Sequence, residues 1–334
     1  MFTKIHLHCS NDMKKLITSI LTLSLAFMAN GQQPTPLEEK LDESVTGQPA
    51  TGEASDVGAQ TPVEVGGAVS SYGGVDLRYM YRDNALSVSE PLGNAIKSGI
   101  IQHTFYVGAI LPSKPFLDGA VTPFIGASRT DVHHDNSDLE SFDNAANSAY
   151  FLFQYQLPEG VTVRAGVEYA GSINTEADTE DYRDYHTNIS VLKFFPLENG
   201  HSVLATVKTG LHRTRVDEVA GTTATADRLN NWESSATLQY SFSPIKDVMA
   251  RPFASLSYKQ YQEDQNDGRD DVTTTFGISG SYDLKPWLQV VGSVVKMNRD
   301  SDGLQTAGSF YNPNMANEYK NWDAGIGINI SLSF

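Results

Sequence analysis

The chain has 334 residues, 40 acidic against 24 basic side chains, a formal charge of −16 and a mean hydropathy of −0.31. That length holds one large all-β domain or two ordinary ones. Such an acidic balance excludes nucleic acid as a partner, because a phosphate backbone calls for clustered Lys and Arg.

The single cysteine, Cys9, lies ahead of a second candidate start at Met13. A mature chain beginning after it has no disulfide, no thiolate chemistry and no Cys-ligated zinc. Met13-Lys14-Lys15 is a short basic stretch, Leu16 to Met28 is apolar, and Ala29-Asn30-Gly31 closes the run with small residues. This three-part layout predicts an export signal over residues 1–31, with the true start at Met13. The apolar run is shorter than the roughly 18 residues that read as a membrane span. Residues 32–68 are rich in Pro, Thr, Glu, Gly and Gln and contain no aromatic residue. They bury too little apolar area to offset their ordering entropy, and are expected to form a disordered periplasmic linker.

From about residue 69 the hydrophobic period becomes two. Twelve segments read as strands: Tyr72–Arg82, Ile100–Leu111, Val121–Arg129, Ser148–Leu157, Val161–Ala170, Tyr185–Phe195, Ser202–Arg213, Trp232–Phe242, Phe253–Tyr261, Val272–Tyr282, Leu288–Met297 and Trp322–Phe334. In Val161–Ala170, Val161, Val163, Ala165, Val167 and Tyr169 share one face, while Thr162, Arg164, Gly166 and Glu168 share the other. Val121–Arg129 has no clear face, and it and Phe253–Tyr261 carry the weakest signals.

Alternation also fits a soluble β-sandwich. Two features favour a barrel in lipid. Strands of nine to thirteen residues exceed the usual five or six and suit a tilted crossing of the hydrocarbon. Aromatics also gather near strand ends, at Trp232, Tyr240, Phe242, Trp287, Trp322 and Phe334, as an interfacial girdle requires. Short connections (Pro158–Gly160, Pro196–Gly200, Leu284–Pro286) alternate with long polar ones (Asp83–Ser98, Thr130–Asn147, Ser172–Asp184, Thr214–Asn231, Asn298–Asn321). The expected fold is therefore all-β, a single transmembrane antiparallel up-and-down β-barrel of about 12 strands over residues 69–334. Its short turns are periplasmic and its long loops extracellular.

The last segment is the sharpest. Ala324, Ile326, Ile328, Ile330, Leu332 and Phe334 point one way; Gly325, Gly327, Asn329, Ser331 and Ser333 point the other. Here the sequence resembles the Gram-negative outer-membrane β-barrel (porin-like) class, whose members commonly end in an aromatic residue preceded by alternating apolar positions. The resemblance implies an outer-membrane address. It also implies that Ile328, Ile330, Leu332 and Phe334 form the signal read by the barrel-assembly machinery, and that lipid and lipopolysaccharide surround the barrel.

The polar faces supply the candidate pore-lining residues: Arg78, Arg82, Arg164, Lys208 and Lys259 against Asp76, Glu168, Glu233 and Asp323. Their signs nearly balance, which fits either a wetted pore of modest selectivity or a lumen bridged by ion pairs. A porin-like channel for passive diffusion of small polar or ionic solutes is the leading expectation, with no cofactor.

The alternative is a structural or adhesion barrel. It would use the acidic stretches Asp131–Asp143, Glu176–Asp184 and Glu263–Asp271, which are also candidate contacts for divalent cations. Asn298–Gly303 opens like a calcium loop but has Ser309 where the bidentate Glu belongs. His133-His134-Asp135 offers metal-ligand types without an evident third ligand. His186, Asn188 and Ser190 share an inward face, the nearest approach to a hydrolase constellation. Residues two apart on a strand project in parallel rather than towards one another, so a polar lumen row is the simpler reading.

Overall fold

A strand in hydrocarbon has no water for its backbone N–H and C=O groups, so each must be paired with a neighbouring strand and the sheet must close on itself. The computed structural model describes residues 69–85, 96–117, 119–157, 160–175, 178–216, 230–262, 267–302 and 319–333. The expected export signal (1–31), the expected linker (32–68), Gly303, Ser309 and Phe334 lie outside them.

Thirteen strands are present: β1 (Ser70–Arg82), β2 (Ser98–Ile110), β3 (Lys114–Phe116), β4 (Gly119–His134), β5 (Asn144–Leu157), β6 (Val161–Asn174), β7 (Thr179–Pro196), β8 (Ser202–Val216), β9 (Asn231–Ser241), β10 (Val248–Tyr261), β11 (Asp270–Lys285), β12 (Leu288–Asp302) and β13 (Tyr319–Ser333). Each of the twelve predicted segments corresponds to one of these. The addition is β3, a three-residue spur paired with the start of β4. Twelve strands close an antiparallel barrel, with β1 paired to both β2 and β13, and β2 paired to β4 across the spur.

The register shows the tilt directly. A pairing row that starts at Arg82, at one end of β1, passes Asp323, Val295, Gly277, Phe253, Gln239 and Leu204, and arrives at Phe194, at the opposite end of β7. Twelve strands about 4.8 Å apart and tilted by about 45° enclose a ring roughly 25 Å across the backbone.

Alternate residues face out and in. Leu77, Ile101, Phe105, Val107, Ile125, Phe151, Phe153, Ile189, Leu238, Phe276, Ile326 and Ile328 are exposed on the outside. The same strands turn Asp76, Gln102, Asn188, Gln239, Thr275 and Asp323 to the inside, where they are buried. The weak segment acquires a clear face, with Ile125 outward and Phe124 inward. Tyr79, Tyr81, Tyr185, Trp232 and Trp322 are exposed near the end bearing the long loops, and Tyr282 and Trp287 near the end bearing the short turns. Between Trp322 and Leu332 on β13 the apolar band is roughly 25 Å tall.

Several expected loops are shorter than the sequence suggested, because strands continue past the aromatic level. Thr130–His134 and Asn144–Asn147 belong to β4 and β5, and Ser172–Asn174 and Thr179–Asp184 to β6 and β7. Only residues 175–178 connect the latter pair. Asn298–Asp302, the calcium-like opening, is extended strand on β12, where the Asn298 amide donates to Asp300 at 3.3 Å. A calcium loop needs a tight turn at that point, and the expected Asn298–Asn321 loop instead starts only after Asp302. Polar residues had read as loop because polar strand outside the membrane shows no alternation.

Beyond the aromatics, a short 3-10 turn (Ser137–Phe142) buries Leu139 against Ala85, Ile96 and Phe142. Asp135 accepts hydrogen bonds from the Gly99 N–H at 2.7 Å, Ser98 at 3.2 Å and Tyr79 at 3.0 Å. Asp143 accepts from the His134 N–H at 2.8 Å and faces the Nδ1 atoms of His134 and His133 at 2.9 and 3.2 Å. His133-His134-Asp135 therefore forms part of a hydrogen-bonded clamp, and no metal-ligating group of three or more is found among the described residues.

Inside the barrel, glycines let tyrosines lie flat on the wall. The row Tyr72, Gly108, Gly126, Tyr150 spans β1, β2, β4 and β5. The Tyr72 ring covers Gly108, the Tyr150 ring covers Gly126, and the two hydroxyls meet. A Cβ at either glycine would overlap a ring.

Gly108→Val should therefore lower the heat-modifiable folded fraction on gels, and Tyr72→Ala in the same chain should restore much of it. Equal loss with and without Tyr72 would show that the ring is not what excludes the side chain. The clamp adds a pH prediction. Partial burial tends to raise the Asp143 pKa, but hydrogen bonds from His134 and His133 outweigh it and hold it below the ordinary value. A carboxylate lowered by folding stabilises above its unfolded pKa, about 3.9, and that contribution is lost as pH falls below it. Proteolysis of the 135–143 loop should rise steeply below about pH 4, and Asp143→Asn should show the raised rate already at neutral pH.

Candidate functional site

The barrel interior is a concave surface built from polar side chains, and its groups are placed by strand alternation. All nine charged residues picked out in the sequence lie on inward faces, and the contacts described below join them to near neighbours along the wall. Arg82 of β1 holds Asp323 of β13 through Nε at 2.8 Å and a second guanidinium nitrogen at 3.1 Å, both residues almost fully buried. Their Cα atoms are register partners, so the pair follows from β1–β13 closure. Arg78 bonds Asp76 on its own strand at 2.5 and 3.1 Å, and Asn329 of β13 donates to the same Asp76 at 3.2 Å. Arg164 of β6 donates to Gln154 of β5 at 3.0 Å.

The opposite wall carries a denser cluster. Lys208 of β8 reaches Glu168 of β6 at 3.3 Å, and Asn188 of β7, between them, donates to Glu168 at 2.8 Å. Lys259 of β10 stands 3.7 Å from Glu233 of β9, which also accepts from Ser257 at 2.6 Å. Two groups outside the sequence prediction join this network. His212 of β8 presents Nδ1 to Asp184 at 2.6 Å and Nε2 to Glu233 at 3.1 Å. Its ring stacks on His186 of β7, centroids 3.8 Å apart and planes 16° from parallel. Nearer the loop end, Arg269 and Ser301 hold Asp271, and Arg269 also covers the Tyr261 ring.

The sequence already held a signal for Asp184. It is two residues before His186 and so on the same face, had the strand been carried further back. His212, four residues after Lys208 in a predicted strand, was legible as an inward residue, but its stack was not, because that depends on the register of β7 against β8, where it is the direct partner of His186.

The hydrolase constellation does not assemble. His186 Nε2 is buried without a hydrogen-bond partner, and its Nδ1 lies 3.7 Å from Glu168. Asn188 is committed to Glu168. Among the described residues, no serine is held by the His186 imidazole as a nucleophile must be. The acidic stretch 131–143 is also largely internal in its bonding, since Asp131 accepts from Arg129 at 2.9 Å and Asp135 and Asp143 serve the clamp.

A closed antiparallel barrel of twelve tilted strands, apolar outside and polar inside, with aromatics at both ends of the apolar band, is an outer-membrane-type β-barrel. Comparison with solved structures agrees. An outer-membrane channel from Pseudomonas putida F1 superposes with a TM-score of 0.52 at 10% identity, covering 81% of this chain and 97% of that one. The NanC porin (TM-score 0.40, 13% identity, 77% and 100% covered) and the KdgM porin (0.39, 10%, 78% and 99%) are looser matches. No family model matches the sequence. No curated protein matches it either.

The Arg82–Asp323 pair makes a stability prediction. Arg82→Ala strands a buried carboxylate and should lower unfolding free energy in micelles by about 3–5 kcal/mol. Replacing both with apolar residues, Arg82→Met with Asp323→Leu, should recover most of it. A double variant as unstable as the single would mean that the pair is needed in its own right.

Proposed function

We propose that this chain is a porin-like outer-membrane channel that passes small polar or ionic solutes by diffusion. The observation that carries this reading is the direction of the inward contacts. Those named above run along the wall, between strands no more than three steps apart, rather than across the ring. Glu168, Lys208, Glu233 and Arg78 keep between a fifth and a third of their side-chain surface accessible. A ring roughly 25 Å across, lined by groups tied back to its wall, leaves room for water. The mixed signs favour weak ion selectivity rather than strong rejection of either sign.

In this reading the short turns are periplasmic and the long loops extracellular. The outward band contacts lipid and lipopolysaccharide, and the last strand serves the assembly machinery. The surface-adhesion alternative is less supported, because the described carboxylates of 131–143 are largely occupied by internal partners and less available to divalent cations or a ligand.

Reconstitution in planar bilayers should give discrete conductance steps from heat-modifiable protein. Lys208→Glu should shift the reversal potential in a salt gradient towards cation preference. Folded protein that never conducts would overturn the channel reading and favour the surface-barrel alternative. An unchanged reversal potential in the variant would remove Lys208 from the path.

A further inference from the structure

The stacked imidazoles occupy a setting that the diffusion reading does not require. His212 faces a carboxylate at each ring nitrogen. A carboxylate only accepts, so with Asp184 and Glu233 ionised the ring carries a proton on both nitrogens. The groups facing the pair are Glu168 on β6, Asp184 on β7, Lys208 on β8, Glu233 on β9 and Lys259 on β10, with the Tyr150 phenol of β5 next along the row. Three carboxylates thus meet two ammoniums and one imidazolium, and their charges cancel when His186 is neutral.

His186 lies face to face with that imidazolium. Its Nε2 rests over Gly210, where an added Cβ would come within 2.5 Å, and finds no hydrogen-bond partner. A second like charge 3.8 Å away is repelled, so the neutral ring suits this packing. A proton added to His186 gives the cluster a net positive charge on a surface that faces the lumen.

We infer that His186 and His212 set a pH-dependent ion selectivity, in which acid shifts the channel towards anions through a proton taken up on His186. This rests on the channel reading. The pair belongs to one wall, and its two strands are adjacent, so no loop movement is needed for the field in the lumen to change.

The test is reversal potential across bilayers in a potassium chloride gradient, stepped from about pH 7.5 to about pH 4.5, because the repulsion from His212 puts proton uptake on His186 below the ordinary histidine range. Wild type should show an anion-to-cation permeability ratio that rises at least about twofold in acid. His186→Phe keeps a flat ring on the stack but binds no proton, and should lose that step while remaining heat-modifiable. His212→Phe removes a charge that balances Asp184 and Glu233, and should be more cation-selective at both pH values. If His186→Phe retains the wild-type step, carboxylate protonation is its source and the inference is overturned while the channel stands. A conducting wild type with no step overturns it equally. If folded wild type does not conduct at either pH, the channel reading fails and takes the inference with it.

Discussion

Closure of the sheet through β1 and β13 is the constraint from which the remaining structure follows. Unpaired backbone groups at a sheet edge are untenable in hydrocarbon, so the first and last barrel strands must meet. Their register, from Tyr72 opposite Ser333 to Arg82 opposite Asp323, fixes how far the strands are staggered and hence tilt and width. It also places one buried ion pair at the seam. The same alternation that turns Ile326 and Ile328 to the outside turns Gly325 and Gly327 inward, where their close approach to Met80 and Arg78 leaves no space for a larger residue.

With the ring closed, the interior becomes a problem of burying charge without isolating it. A charge without a counter-ion in this setting is expensive, and the structure answers by pairing neighbours. Because side chains two apart on a strand and opposite on the next share a face, these pairs form along the wall. The consequence is a polar lining held back from the axis. In that lining His186 and His212 differ from the Lys–Glu and Arg–Asp pairs, since an imidazole changes charge within the ordinary range of external pH.

Much of this was legible in the residues. Period-two patterning located all twelve barrel strands, including the two weakest, and placed the nine charged interior residues on the polar faces of their strands. It could not say which of them meet. Arg82 and Asp323 are 241 positions apart and pair through closure, while Lys208 and Glu168 pair across an intervening strand. The polar extensions of β6, β7 and β12 read as loops because their sequences carry no apolar–polar alternation. The flat tyrosines over Gly108 and Gly126 were equally hidden, since a glycine in a strand does not announce which ring will cover it.

The central claim is that one face of each strand meets water inside the barrel while the other meets lipid. Cysteine placed at Ser235 or at Leu238 on β9, in a chain whose Cys9 is replaced by serine and which is reconstituted in vesicles, tests it on a single strand. Ser235 has its side chain on the inward face and Leu238 has its side chain exposed outside. A charged, membrane-impermeant thiol reagent should label Ser235→Cys and spare Leu238→Cys. Protection of Ser235→Cys in folded protein, or labelling of Leu238→Cys instead, would contradict the account.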